Sequence, residues 1–258
     1  MKLNIIVCIK SVVIAVPDRK VIRTAESCAL NPFDRPALEA ALRLRETYGG
    51  TVTALSMGPK ASTFSLLEAI AMGVDRSVLV CDPALAGSDT LATSTALAAA
   101  IKKLAPFDLI LFGTRTADSD TGQVGPQTAV LLDLPLVTSA YSIEQMDTGL
   151  RVKRRADAFW EKFELSLPSV LTIHPSSAQP RDVGLSGIEL AFEEGEVENW
   201  NLADLGLPPD QVGEAGSYTR VLSLVRVKKE RKCEFLSGAT EEQADELIRR
   251  LGESGLIG

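Results

Sequence analysis

Residues 108–135, DLILFGTRTADSDTGQVGPQTAVLLDLP, hold the densest run of groups suited to ligand chemistry in this chain. Asp108 to Phe112 has the apolar texture of a buried parallel strand, and Gly113 permits a sharp turn at its end. Thr114 to Gln123 is rich in hydroxyls, amides and turn formers. Val124-Gly125-Pro126-Gln127 then reopens regular structure, with Pro126 suited to a first helical turn and an apolar stretch behind it. A loop feeding a helix N-terminus presents free backbone N–H groups and a partial positive charge, which suits a phosphate or pyrophosphate. Gly122 and Gly125 would let that phosphate come close. Asp118 and Asp120 would repel it, so ribose hydroxyls, a helix cap or bracing of the loop are their expected uses. Neither GxGxxG nor GxxxxGK[ST] occurs, so a plain strand-to-helix turn stays open beside the phosphate reading.

Other chemistry is sparse. His174 is the single histidine and has no visible catalytic partner. No G-x-S-x-G, HExxH or EF-hand pattern is present. The cysteines, Cys8, Cys28, Cys81 and Cys233, are scattered without a CxxC, which argues against zinc, an iron-sulfur cluster or a disulfide framework, and fits a reducing cytoplasm. The formal net charge of -7 argues against nucleic acid and against a polybasic membrane anchor. No apolar stretch approaches the length of a membrane span. A nucleotide-sized site without an evident catalytic apparatus suits a protein whose cofactor performs the reaction.

The elements that must hold this loop read as an α/β domain. Leu3 to Ile9 is an apolar strand with Lys10 at its carboxyl end, where open α/β sheets place ligands. Asn31-Pro32-Phe33-Asp34 reads as a helix start capped by Asn31, ending at Gly49-Gly50. Strands at 51–57 and 77–81 and helices at 62–72 and 89–104 continue a β, α, β, α alternation, the signature of a doubly wound, mainly parallel, Rossmann-like sheet. After Pro135, Asp147-Thr148-Gly149 reads as a hairpin turn, followed by strands near 163–167 and 170–173. Domain limits are expected at 1–174 for the nucleotide-binding domain, 175–218 for an excursion and 219–258 for a C-terminal arm. That arm reads as a strand at 219–227, the basic run Lys228, Lys229, Arg231 and Lys232, and a helix opened by a capping box at Thr240 to Gln243.

Several stretches together resemble the β (small) subunit of an electron-transfer flavoprotein. They are Val7-Cys8-Ile9-Lys10, Asn31-Pro32-Phe33, Ala71 to Arg76, Asp118 to Gln127, Val152-Lys153-Arg154 and Glu164 to Thr172. The resemblance implies an adenine nucleotide held by Cys8, Ile9, Lys10, Asn31, Met57, Gly58, Gly113, Asp118, Thr121, Gly122, Gln123, Val124, Gly125, Pro126 and Gln127. It also implies a C-terminal extension wrapping a larger α subunit as a heterodimer. Family members that do not bifurcate electrons carry AMP at this place, whereas bifurcating members carry a second FAD and a D-x-D-T-[AG]-Q-V-G-P loop, the pattern followed here. The usual Gly-Lys-Gln is Gly113-Thr114-Arg115, and Ser119 stands where bifurcating members have glycine. The resemblance further implies a docking leucine after Pro180-Arg181, matched by Leu185. Electrons would then pass between NADH or an acyl-CoA dehydrogenase and a quinone reductase, ferredoxin or flavodoxin. The rival from another class is a non-redox adenine-nucleotide-binding stress-type module, which has no use for the strands at 150–173 or the C-terminal arm.

Overall fold

A computed structural model describes residues 1–14, 24, 27–223 and 233–257. The first strand, β1 (Leu3–Ile9), is apolar at nearly every position because both its faces are covered. A short antiparallel pair follows, β2 (Ser11–Val13) and β3 (Cys28–Leu30). Helices and strands then alternate: α1 (Arg35–Tyr48), β4 (Gly50–Met57), α2 (Thr63–Met72), β5 (Arg76–Val80), α3 (Thr90–Lys103), β6 (Leu109–Gly113) and α4 (Val124–Leu132). Next come β7 (Leu136–Met146), β8 (Gly149–Ala156), β9 (Phe159–Leu165), β10 (Ser169–Ile173), α5 (Leu185–Glu193) and β11 (Val197–Trp200). The short helices α6 (Leu202–Leu205) and α7 (Gly213–Gly216) and the longer α8 (Thr240–Glu253) complete the described chain.

Among the described residues the main sheet has the order β11-β5-β4-β1-β6-β10-β7-β8-β9. It is parallel from β11 to β7 and antiparallel through the β7-β8-β9 ribbon. Alternate side chains of the strands feed two cores. One joins Leu3, Ile5, Val7 and Ile9 to Leu38 and Leu42 of α1 and Leu66 of α2. The other joins Ile6, Cys8 and Phe112 to Leu97 and Ile101 of α3 and Ala129 of α4. The sheet is therefore doubly wound, as the β, α alternation predicts.

The chain divides into two compact units, Met1–Arg220 and Val221–Gly258. Residues 175–218, expected as an excursion, supply α5, which packs on α2, and β11, which pairs with β5 at the sheet edge. Tertiary pairing with a partner over a hundred residues away has no local signature. Residues 219–223 of the expected strand at 219–227 are not extended into a sheet, while 224–227 and the basic run at 228–232 lie outside the described residues. In the second unit α8 starts from Ala239, which has no side-chain acceptor, so only the return bond of the expected box forms, from Ala239 N–H to Glu242 Oε2 at 3.0 Å.

The sheet order puts the reversal of winding between β1 and β6. From β1 the chain proceeds outward through β4 and β5, then returns to β6 on the other side. Strand ends at such a reversal splay apart and leave backbone N–H groups without a ladder partner. Asp34 fills that gap. Its Oδ2 accepts the Lys10 N–H at 2.7 Å, and it also accepts the Gly113 N–H. A Cβ at Gly113 would collide with Asp34 Oδ1 and Phe33 O, so the fit requires glycine. Burial raises the Asp34 carboxyl to about 7, against the opposing pull of the Lys10 N–H, Asn31, the Lys10 charge and the Gly113 N–H.

A carboxyl whose folded pKa is raised contributes stability that is complete below its unfolded value near 3.8 and is lost as pH rises through about 7. Asp34→Asn cannot ionise. The unfolding free energy of the parent protein, read from denaturant titrations, should therefore fall relative to Asp34→Asn between pH 4 and 8, by at most about 4 kcal/mol. Parallel pH profiles would show that Asp34 does not titrate in this window.

Candidate functional site

The residues singled out from the sequence, Leu185 excepted, gather at the carboxyl ends of β4, β1 and β6 and in the loops beyond them. Register pairs Ile9 with Ser56 on one side and Cys8 with Phe112 on the other, so Met57-Gly58, Lys10 and Gly113 stand side by side. Cys8 and Ile9 are buried in opposite cores. The Cys8 thiol is pushed well up by burial and then by the Asp34 charge, so it is no nucleophile, and both residues can offer only backbone to a ligand. Met57 is half-buried against the α3 side.

Lys10 supplies a cation at the end of β1. Its Nζ lies 2.8 Å from Asp118 Oδ1 and 3.4 Å from Ser119 Oγ, which fastens the long loop to the end of β1. Asp118 thus braces the loop, one of the uses its sequence position suggests. Asn31 does not cap α1; the helix begins at Arg35 with Asp34 at its N-cap. The Asn31 side chain is spent on the loop instead, donating to Arg115 O at 2.9 Å and accepting the Ala117 N–H at 3.2 Å. Helix-start grammar and loop-pinning need the same residue type, and only the fold decides between them.

Thr121 and Gln123 are exposed, and Gly122 has φ +62 with open space around it except Thr114 O at 3.0 Å. The N-cap of α4 is Gln123, which makes no side-chain cap bond, so the first turn keeps its backbone donors for other partners. Gly125 behaves differently from the sequence expectation. It is buried, and a Cβ there would meet Thr172 Cγ2 at 3.0 Å and the Phe112 ring at 3.2 Å. It is small so that α4 can seat on β6 and β10, rather than to admit a phosphate. Pro126 lies in that first turn, and Gln127 Oε1 accepts from Ser94 Oγ at 3.2 Å.

Sequence reasoning missed four contributors. Asp34 is the strut described above. Arg115 stacks its guanidinium over Phe33 at 4.6 Å and pairs with Asp120 at 3.3 Å. Thr90 and Ser94, at the start of α3, hold Gln123 and Val124 through bonds of 3.1 and 3.2 Å. The Ser-Asp-Thr at 88–90 was a legible helix start, but nothing local marked it as a support for a loop thirty residues on.

Leu185 stands apart from this cluster, in the first turn of α5 and 87% exposed. Ile188, Leu190 and Phe192 are also exposed on α5. The segment leading to it is clamped by Arg181, whose guanidinium reaches Glu39 Oε2 at 2.8 Å and Glu46 Oε1 at 2.7 Å on α1. Burial opposes the Glu39 charge, yet bonds from Arg181 and Arg43 outweigh it and hold this carboxyl below its usual range. A cavity of about 250 Å³ between α1 and β7, lined by Ala40, Leu44, Tyr48, Tyr141 and Ile173, shares no residue with the nucleotide cluster. No group of three or more metal-ligating side chains occurs among the described residues. No described helix is long and apolar enough to cross a membrane.

The family model for the electron transfer flavoprotein domain matches residues 19–205. The electron transfer flavoprotein subunit beta of Thermoanaerobacterium thermosaccharolyticum is 37% identical over 99% of this chain and 100% of its own length. The protein of the same name from Clostridium acetobutylicum is 35% identical over 99% and 100%. The caffeyl-CoA reductase-Etf complex subunit CarD of Acetobacterium woodii is 38% identical over 92% of this chain and 90% of its own. Similarity on this scale, across both the sheet and the loop cluster, means that the chain belongs to the electron transfer flavoprotein family and is a β subunit within it.

Proposed function

We propose that the chain binds FAD at the carboxyl ends of β1 and β6, pairs with an α subunit that its C-terminal unit wraps, and works in the cytoplasm. In that complex it would carry electrons from NADH toward an acyl-CoA-linked flavoenzyme and a low-potential or quinone-linked acceptor, by electron bifurcation. The observation that carries the reading is the convergence of Lys10, Gly122 and the uncapped first turn of α4 at the reversal point of the sheet. The residues present fit an adenine nucleotide. Backbone donors of α4 face a phosphate's charge, Gly122 permits close approach, and Lys10 can exchange Asp118 for a phosphate oxygen. Asn31 holds the loop backbone in place while this happens. A flavin bound here would supply hydride acceptance and onward electron transfer; the chain supplies binding, orientation and shielding from water, with no acid or base of its own.

AMP is the second reading, and Gly125 favours it. With that glycine committed to packing, only Gly122 remains to open the loop, which is the need of one phosphate rather than two. The name of the Acetobacterium relative, a subunit of a caffeyl-CoA reductase complex, supports an acyl-CoA-linked partner. The stress-type rival loses its ground, since the β8-β9-β10 strands it has no use for are integral to the sheet.

Cofactor analysis of the purified heterodimer decides between the nucleotides. Two FAD per heterodimer with reduction by NADH supports the first reading; one FAD with one AMP and no reduction by NADH selects the second. Lys10→Met should lower retention of the β-site nucleotide about tenfold with little change in melting temperature, because its ion pair is a partly exposed one. Gly125→Val should instead lose nucleotide and stability together, since it drives α4 off Phe112 and Thr172. Equal stability of the two variants would overturn the packing assignment.

Leu185→Ala tests docking. An exposed apolar anchor that fills a partner pocket carries about 2 kcal/mol, so partner affinity should fall about thirtyfold while bound nucleotide is unchanged. Loss of nucleotide with intact partner kinetics would remove Leu185 from the interface.

A further inference from the structure

Asp89 is the N-cap of α3, and its two oxygens do separate work. Oδ1 accepts the Ala92 N–H at 2.9 Å, the ordinary capping bond. Oδ2 accepts the Tyr218 N–H at 2.9 Å, and the Thr219 N–H and Thr219 Oγ1 at 3.0 Å each. Its own N–H donates to Ser217 Oγ at 2.8 Å. Burial works against the charge, and the N–H donors of Ala92, Thr219 and Tyr218 outweigh it, so the carboxyl stays below its usual range. These bonds fix the last residues of the first unit, immediately before the chain leaves it after Arg220.

The first two turns of the same helix also meet the loop at 121–127. Thr90 Oγ1 donates to Gln123 Oε1 at 3.1 Å, and Ser94 Oγ, whose one hydrogen has its nearest acceptor in Thr90 O at 2.7 Å, lies 3.2 Å from Val124 O and from Gln127 Oε1. Segments that are distant in sequence, 121–127 and 217–219, therefore share one support a few residues long.

We propose that Asp89 is a positioning residue that couples the nucleotide loop to the point where the C-terminal unit leaves the domain. A shift of the first turn of α3 cannot satisfy one segment without loosening the other, so whatever orders the loop also orders the exit, and the converse holds by reciprocity. The inference rests on the nucleotide reading for its meaning, and on the hydrogen bonds alone for its mechanics.

Asp89→Ser separates the two oxygens, because serine retains the capping bond to Ala92 and loses the acceptor for Tyr218 and Thr219. Amide hydrogen exchange of the full chain, co-purified with its α subunit, reads the result. Exchange at 218–219 should rise about tenfold, and exchange at 121–127 should rise with it. Thr90→Val, which leaves the cap untouched, should loosen 218–219 in return. A change confined to the mutated side in both variants, or no change in either, overturns the coupling. Should all of α3 open in Asp89→Ser, Thr90→Val decides by the same criterion. Nucleotide content of the same samples tests the binding reading separately: a parent protein free of nucleotide removes that reading, while the exchange result still decides the coupling.

Discussion

The structure depends on how the ends of β1 and β6 are held where the sheet reverses its winding. A parallel ladder satisfies backbone groups along the strands but not at a splayed end, and an unpaired buried N–H costs about 1–3 kcal/mol. Asp34 meets this constraint with a side chain from the turn before α1, taking the N–H groups of Lys10 and Gly113. The same turn brings Asn31 under the loop at 115–117 and Phe33 under Arg115. One four-residue stretch, Asn31 to Asp34, thus closes the sheet, starts a helix and shapes the floor of the nucleotide cluster.

Much of this was legible in the sequence, and the illegible part has a common cause. Strands such as Leu3–Ile9 and Leu109–Gly113 announce themselves because burial on both faces demands continuous apolar residues. The hairpin at 147–149 announces itself because its turn needs particular residues. The roles of Asn31, Gly125 and Asp89 do not, because each bond or contact that defines them crosses from one element to another. Asn31 carries the residue type of a helix cap, and Gly125 that of a phosphate-approach glycine. Only the packed fold shows one pinning a loop and the other admitting the Phe112 ring and Thr172. Strand β11 escaped for the same reason: its partner, β5, lies far upstream.

Electrostatics in the cluster follow from the acidic composition. With a net charge of -7, the cations at the site are paired by the loop itself, Lys10 with Asp118 and Arg115 with Asp120. Partly exposed pairs of this kind are worth about 0–1 kcal/mol, so a phosphate of the proposed nucleotide would displace little in taking Lys10 from Asp118. The aspartates that look repulsive in the sequence are better described as placeholders that keep the cations oriented and the loop folded.

The docking segment belongs to the same frame. Arg181 ties the approach to Leu185 onto Glu39 and Glu46 of α1, and α5 packs on α2, so the exposed apolar residues of α5 are presented from rigid supports. Presentation from a fixed helix reduces the ordering cost of association. One helix thus serves both places: α1 starts from Asp34 at its N-cap and offers Glu39, in its second turn, and Glu46, in its last, to Arg181. A partner docked on α5, as proposed, would meet a surface that belongs to the same compact unit as the loop cluster at the ends of β1 and β6.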